Sequence, residues 1–223
     1  MNKDQARKWL VSIGIVPVIR AASPEQALAA VEAVCKGGIT VVEVTMTVPK
    51  ANAVIDSVRK NMGEDVLVGA GTVLDSEAAG RSLDSGAQFI VSPGFDASTV
   101  RFVRSRNVLM MAGALTPTEV LTAWRAGSDM VKIFPCSALG GASYIKALKG
   151  PLPQIPLVPT GGVNLKTAAE FIQAGSEALG VGGELVLASA LKAGTPQVIT
   201  DLARQYLAVV REARDSVGVA ISR

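Results

Sequence analysis

The chain has 223 residues, of which 49% are hydrophobic, 4% aromatic and 18% charged, and its formal net charge is +3. This length and apolar content suffice for a sizeable core, while the small charge and the scarce aromatic residues argue against a nucleic-acid-binding protein. The sequence contains no histidine, which excludes the commonest general base, the Ser-His and Cys-His nucleophile pairs and the usual zinc ligand.

The first 14 residues are polar and amphipathic, and they predict a helix ahead of the main fold. They lack the apolar segment of a signal peptide, and the sequence has no run of about 18 apolar residues, the length that a transmembrane helix needs. We therefore expect a cytoplasmic protein that has no membrane partner. Cys35 and Cys136 form neither a disulfide framework nor a metal motif, and we expect no metal and no other cofactor.

Eight apolar runs of strand length, rich in Val and Ile, follow this helix. They are residues 15–20, 41–46, 66–73, 89–93, 108–114, 130–134, 157–161 and 178–182. Helical patterns fill the gaps, and several of them open with a helix N-terminal signal, at Ser23, Asp75, Asp96, Thr116 and Asn164. Strands that are apolar along their whole length are typical of a parallel sheet covered on both faces.

A joint between helix and strand recurs four times, in residues 35–44, 83–92, 124–133 and 172–181. In each copy a helical pattern ends at glycine, which supplies a left-handed C-terminal cap, and an apolar run follows. Eight strand–helix alternations in about 200 residues predict a (β/α)8 TIM barrel with an extra N-terminal helix. A doubly wound open sheet is the alternative. We expect one domain over residues 1–223, with the N-terminal helix covering the barrel bottom.

Two of the predicted strands carry a charged residue on the face that points into the barrel. Successive residues of a strand face opposite sides, and the faces opposite Glu43 and Lys132 are apolar and suited to contact the surrounding helices. Arg20 ends the first strand, and Thr72 lies near the end of the third. These four polar side chains converge on the top face of the barrel, where TIM-barrel enzymes carry their active sites.

Lys132 is the one charge in an otherwise apolar strand, and burying an ammonium ion is costly without a partner. A purely structural salt bridge with Glu43 is one interpretation, but buried ion pairs are weak stabilisers and apolar side chains would fill the space at least as well. A catalytic role explains a lysine and a glutamate at these positions better than a structural salt bridge does. A neutral lysine amine attacks a ketone or an aldehyde to form a Schiff base, and Glu43 can move the protons that this requires.

Two glycine-rich turns close the seventh and eighth strands, PTGGVN at 159–164 and GVGGEL at 180–185. Glycine lets backbone N–H groups approach an anion closely, and a helix N-terminus adds positive potential. Tight turns also need glycine, but these strand ends commonly hold a phosphate group in TIM barrels. We therefore expect a phosphate site of a small-molecule substrate between the two turns.

With these residues in place, the sequence resembles the class I aldolases for 2-keto-3-deoxy-6-phosphogluconate (KDPG) and 4-hydroxy-2-oxoglutarate (KHG) over nearly its whole length. The matching stretches are PVIRA (17–21), GGITVVEVT (37–45), VGAGTVL (68–74), AQFIVSPG (87–94), VKIFP (131–135) and PTGGV (159–163). The resemblance implies a lyase that cleaves a 2-keto-3-deoxy sugar acid to pyruvate and an aldehyde, which is glyceraldehyde 3-phosphate for KDPG. It also implies a homotrimer that needs no metal.

The resemblance assigns roles to the matched residues. Lys132 would form the Schiff base, and Glu43 would act as the general acid and base. The implied substrate-binding residues are Arg20 and Thr72 at the pyruvate carboxylate, Pro93 and Phe134 around the pyruvyl group, and Gly161, Gly162, Gly182 and Gly183 around the phosphate, with Thr160 as a further binding residue.

Two positions depart from the family pattern. Some members carry Arg where this chain has Thr47, so Arg20 must hold the carboxylate here. Some carry Ser where this chain has Glu184, whose carboxylate would repel a phosphate if it faced the ligand. A non-phosphorylated substrate such as KHG therefore stays open. So does 2-keto-3-deoxy-6-phosphogalactonate, because the PTGG form resembles the gluconate branch whereas residues 137–150 resemble the galactonate branch.

Other classes of function are alternatives to the aldolase. An isomerase or a decarboxylase on the same barrel usually needs more carboxylates inside the barrel than Glu43 alone. A catalytically silent trimeric scaffold would not need the intact pair of Lys132 and Glu43. The aldolase is therefore the interpretation that the residues favour.

Overall fold

A computed structural model describes residues 1–218 and shows the predicted (β/α)8 barrel. The strands are β1 (Ile15–Ile19), β2 (Val41–Thr45), β3 (Leu67–Gly71), β4 (Phe89–Val91), β5 (Leu109–Ala114), β6 (Met130–Ile133), β7 (Leu157–Pro159) and β8 (Leu179–Val181). All eight predicted strands are present, and each is shorter than predicted at one end or at both ends. The predicted domain extends to residue 223, and its last five residues lie outside the described part of the chain.

Helices alternate with these strands around the outside of the barrel. They are α1 (Lys3–Ile13), α2 (Pro24–Lys36), α3 (Ala51–Met62), α4 (Ser76–Asp84), α5 (Ala97–Ser105), α6 (Pro117–Ala126), α7 (Ala142–Lys149), α8 (Ala168–Gln173), α9 (Ala188–Ala193) and α10 (Gln197–Ser216), with a 3-10 helix at Cys136–Leu139. No helix within residues 1–218 combines the length and the apolar character needed to cross a bilayer.

The strands close into a ring through parallel pairs. β1 pairs with β2 on one side and with β8 on the other, and the order continues from β2 to β7. The seam between β7 and β8 is closed by a single bridge, Thr160 with Gly180. A Cβ atom at Gly180 would overlap the Thr160 side chain, so the two strands can approach this closely only at glycine. This closure rules out the doubly wound sheet, which has two open edges.

The two faces of the strands belong to two separate cores, as predicted for β2 and β6. Inward-facing side chains, all of them buried, fill the lower part of the barrel; they include Val16, Val41, Leu67, Phe89, Leu109 and Met130. Outward-facing side chains of the same strands pack against the helices; they include Val42, Val44, Val131 and Ile133.

The helix ends mostly follow the predicted signals. Four side chains accept backbone N–H hydrogen bonds at the N-termini of α2, α4, α5 and α6; they are Ser23, Asp75, Asp96 and Thr116. Asn164 instead caps a turn, because its side chain accepts from the N–H groups of Lys166 and Thr167, and α8 begins only at Ala168. The predicted left-handed glycines of the four joints, Gly38, Gly86, Gly127 and Gly175, have φ between 95° and 100°.

α1 covers the bottom of the barrel, as predicted. Leu10 is fully buried against the inward-facing side chains of the strands. Polar contacts fasten the helix to residues just before the strands: Lys3 to Asp129, Arg7 to Glu177 and Trp9 to Thr40. Arg214 of α10 donates hydrogen bonds to the carbonyl groups of Val11 and Ser12. The end of α10 therefore also lies at the bottom.

Both cysteines are free thiols, as predicted. Burial, with a smaller contribution from Glu32, raises the pKa of Cys35 to about 12. Burial raises the pKa of Cys136 to about 11. Since the thiolate is the reactive form, both side chains act as small apolar groups at neutral pH.

Replacing Leu10 by Ala tests whether α1 completes the barrel core. Leu→Ala changes at buried sites cost roughly 2–5 kcal/mol because a cavity remains. We expect the free energy of unfolding in urea to fall by an amount in this range. Leu74→Ala is the matched control, since Leu74 is 64% exposed, and it should leave the stability unchanged. An unfolding curve for Leu10→Ala that overlays that of the parent chain would contradict this role for α1.

Candidate active site

Lys132 of β6 and Glu43 of β2 meet inside the upper part of the barrel, as predicted. Lys132 Nζ lies 3.6 Å from Glu43 Oε1, and the two side chains are only 6% and 3% exposed. The ammonium group also lies 5.6 Å from the centroid of the Phe134 ring, a distance typical of a cation–π contact. Glu43 Oε1 accepts no hydrogen bond within residues 1–218. Apart from its contact with Lys132, this buried oxygen is therefore without a partner among the described residues.

Glycines create the space around this pair. Gly71 of β3 and Gly113 of β5 lie at inward-facing positions of their strands. A Cβ atom at Gly71 would overlap the carboxylate of Glu43, and one at Gly113 would overlap the backbone of Pro93. Neither residue was predicted from the sequence. The signal for each is a glycine on the inward face of a strand whose other inward-facing residues include buried apolar side chains.

Arg20 and Thr72 both lie at the top ends of their strands, as predicted. Arg20 directly follows β1, is exposed, and makes no hydrogen bond or ion pair within the described residues. Thr72 directly follows β3, is half-buried and has a φ of 58°. A β-branched residue in this left-handed region carries strain on the order of 1–3 kcal/mol, and such strain is often found at binding sites.

Pro93 and Phe134 are half-buried and follow β4 and β6 at the rim of the barrel. The turn that carries Pro93 is held by Ser92, a buried residue that was not among the predicted site residues. The Ser92 hydroxyl donates a hydrogen bond to the carbonyl of Gly94 at 2.7 Å and accepts a weaker one from the N–H of Gly113 at 3.4 Å. An isolated serine after a strand gives no sequence signal for such a role.

The two glycine-rich turns lie side by side, because β7 and β8 are neighbours across the seam. Thr160 is 6% exposed, and its backbone bonds both to β6 and to the 3-10 helix, through Ile133 and Cys136. The next two residues, Gly161 and Gly162, have φ of 93° and 79°. After β8, a Cβ atom at Gly182 or Gly183 would meet nothing within 4 Å. The second turn thus faces open space, whereas in the first turn a Cβ atom at Gly162 would overlap the side chain of Ser137.

Glu184 is exposed at the end of the second turn and forms no ion pair within residues 1–218. Burial raises the pKa of Tyr206 in α10, and the nearby charge of Glu184 raises it further. The carboxylate therefore lies close enough to α10 for its charge to act on that helix. No cluster of three or more Cys, Asp or Glu side chains suited to a metal lies within the described part of the chain.

Comparisons with known proteins place this arrangement among aldolases. Residues 7–202 match the family model for KDPG and KHG aldolases. The chain is 36% identical to a 2-dehydro-3-deoxy-phosphogluconate aldolase of Treponema pallidum, over 90% of this chain and 95% of that protein. It is 34% identical to a 2-dehydro-3-deoxy-6-phosphogalactonate aldolase of Escherichia coli, over 94% and 99% of the two chains.

One solved structure extends this likeness to a bound molecule. It is a KDPG aldolase from Legionella pneumophila with pyruvate captured at low pH as a covalent carbinolamine intermediate. The two folds have a TM-score of 0.83 and share 29% sequence identity, and the match covers 90% of this chain and 97% of that one.

Replacing Gly71 by Ala tests whether Glu43 needs the space beside it. The added methyl group would overlap the Glu43 carboxylate, which must then turn away from Lys132. We expect at least a tenfold loss of aldolase turnover, on the order of 1.4 kcal/mol, with the circular dichroism spectrum unchanged. Gly150→Ala is the control, since a Cβ atom there makes one ordinary contact at 3.5 Å. Turnover equal to that of the control would contradict the requirement for this space.

Proposed function

Since the chain belongs to the KDPG and KHG aldolase family, and is thus an aldolase and a lyase, we propose that it is a class I aldolase whose Lys132 forms a Schiff base. The substrate is a 2-keto-3-deoxy sugar acid, and the products are pyruvate and an aldehyde. The buried pair of Lys132 and Glu43, 3.6 Å apart at the open end of the barrel, carries this proposal.

The first half of the reaction joins the substrate to Lys132. Lys132 passes a proton to Glu43, and the neutral amine then adds to the C2 ketone. A C–N bond forms as the carbonyl π bond breaks, and a proton moves from the nitrogen to the ketone oxygen to give a carbinolamine. Loss of the hydroxyl group as water, with a proton supplied by Glu43, leaves the protonated imine. The Legionella pneumophila relative supports this order of events, because its pyruvate is captured as a covalent carbinolamine.

The second half breaks the bond between C3 and C4. Glu43, now a carboxylate, removes the proton of the C4 hydroxyl group, the aldehyde departs, and the bonding electrons flow into the protonated imine to give an enamine. Protonation of the enamine at C3 by Glu43 gives the imine of pyruvate. Water then hydrolyses this imine, which releases pyruvate and restores the amine of Lys132.

The remaining predicted residues bind the substrate. Arg20 and Thr72 hold the carboxylate at the tops of β1 and β3, while Pro93 and Phe134 border the pyruvyl group. Thr160 and the four glycines of the two turns bind the phosphate end, chiefly through backbone N–H groups. The position of the two turns side by side on neighbouring strands supports this assignment.

We propose KDPG as the preferred substrate, on the basis of the Thr160-Gly161-Gly162 turn. 2-Keto-3-deoxy-6-phosphogalactonate is the second candidate, favoured by the relative from Escherichia coli that acts on it by name. The two compounds differ only in configuration at C4. We also propose a cytoplasmic homotrimer, as the resemblance implies, and light scattering of the purified protein would then give three times the chain mass of 23.0 kDa.

Reductive trapping tests the Schiff base. We expect borohydride, added with pyruvate, to inactivate the protein and leave a carboxyethyl group on Lys132, located by mass spectrometry of its peptides. Lys132→Met should fold, take up no adduct and lose nearly all KDPG cleavage, because the eight strands of the described residues contain no other lysine. Lys36→Met is the control, since this exposed lysine at the end of α2 is far from the top face. Full activity of Lys132→Met would end the proposed mechanism.

Substrate comparison tests the phosphate site. We expect kcat/KM to be at least tenfold higher for KDPG than for its dephosphorylated analogue, on the order of 1.4 kcal/mol, because phosphate binding positions the reacting carbons. Glu184→Gln serves as the matched control and should leave this ratio unchanged, since the exposed carboxylate is expected to point away from the ligand. If KDPG, its analogue and KHG are cleaved equally well, the substrate is unphosphorylated.

A further inference from the structure

Two threonine hydroxyl groups extend the inward face of β2 above Glu43. Thr45 is fully buried, and Thr47 is exposed at the rim of the barrel. Thr45 Oγ1 lies 3.0 Å from the carbonyl oxygen of Ile19 and 2.7 Å from Thr47 Oγ1. The polar groups of Glu43, Thr45 and Thr47 therefore follow one another toward the rim, and this row ends beside the top of β1.

The proton of each hydroxyl group can be assigned by counting. A hydroxyl group has one proton to donate, and a carbonyl oxygen has none. The contact between Thr45 and the Ile19 carbonyl therefore uses the proton of Thr45. The contact between the two threonines must then use the proton of Thr47. As a result, Thr47 Oγ1 presents only lone pairs to the rim and acts there as a hydrogen-bond acceptor.

An acceptor at this place repels a substrate carboxylate and attracts N–H donors. Arg20 is close by, because β1 and β2 pair with Ile19 opposite Val44, and Thr45 bonds the very peptide group that joins Ile19 to Arg20. The guanidinium group has five N–H donors, none of which has a partner among the described residues. Its long side chain loses substantial rotamer freedom when it is fixed on a ligand.

We propose that Thr47 is a positioning residue for Arg20. Its hydroxyl oxygen accepts one N–H of the guanidinium group and holds the group above the barrel mouth, so that two further N–H groups bind the substrate carboxylate in a bidentate manner. Because the guanidinium group has no hydrogen-bond partner among the described residues, this contact forms as Arg20 turns toward the bound carboxylate. The inference rests on the proposed function, because it takes the keto acid carboxylate as the ligand of Arg20.

The test measures pyruvate binding separately from the later chemistry. The rate at which cyanoborohydride traps pyruvate on the protein is followed at low pyruvate concentration, where weak binders remain measurable, and KM and kcat for KDPG are determined alongside. We expect Thr47→Val, which keeps the shape and removes the acceptor, to slow trapping and to raise KM roughly two- to tenfold, the scale of one hydrogen bond. We expect kcat to stay unchanged.

Two further variants separate positioning from a merely structural role. Thr47→Ser retains the hydroxyl group and should restore the trapping rate and KM of the parent chain. In a chain that already carries Arg20→Met, Thr47→Val should have no additional effect, because Thr47 acts through Arg20. Urea unfolding of each variant provides the control for stability, and Thr47→Ala provides a second removal of the acceptor.

Three results would overturn the inference. Trapping by Thr47→Val and Thr47→Ala at the parent rate would show that the acceptor has no role. If Thr47→Val slows trapping by the same factor in the Arg20→Met background as in the parent chain, Thr47 acts independently of Arg20. Failure of Thr47→Ser to restore binding would point to packing rather than the hydroxyl group. A parent chain that pyruvate does not trap at all would instead mean that the proposed function is wrong.

Discussion

The ion pair of Lys132 and Glu43 inside a largely apolar barrel is the constraint on which the rest of the structure depends. Removing two charges from water costs several kcal/mol for each ion, and their mutual attraction returns this only in part. The barrel must therefore bring them close together while leaving one approach open. The lower half is filled by apolar side chains and sealed by α1, so that the approach is from the top.

The need to hold this buried ion pair with one side open explains where glycines and a strained backbone occur in the barrel. Gly71 leaves room for the Glu43 carboxylate, and Gly180 lets Thr160 close the seam between β7 and β8. Thr72 takes a left-handed backbone at the end of β3. Each of these three features weakens the backbone locally, and each lies in the upper half of the barrel. The lower half of the barrel therefore provides packing and stability, and the upper half provides the geometry of the candidate site.

Sequence patterns could predict the parts of the fold that depend on near neighbours in the chain. Alternation within β2 and β6 placed Glu43 and Lys132 on the inward face, and short helix N-terminal signals located the starts of α2, α4, α5 and α6. Other features depend on contacts between distant segments. The fit of Gly71 against Glu43, the bond from Thr45 to Ile19 and the hold of Ser92 on its turn arise only when the strands are side by side. The inward-facing position of Gly71 on β3 has a local signal, but the three contacts themselves have none.

The position of α1 has a practical consequence for coupling the protein to other materials. α1 begins at the bottom of the barrel, where Lys3 pairs with Asp129, and α10 reaches the same end through Arg214. A resin, a surface or a fused carrier joined ahead of Lys3 would therefore lie on the side opposite the barrel mouth. Immobilised in this way, every molecule would present its open end to the flowing solution, and diffusion into the barrel would not be obstructed by the support.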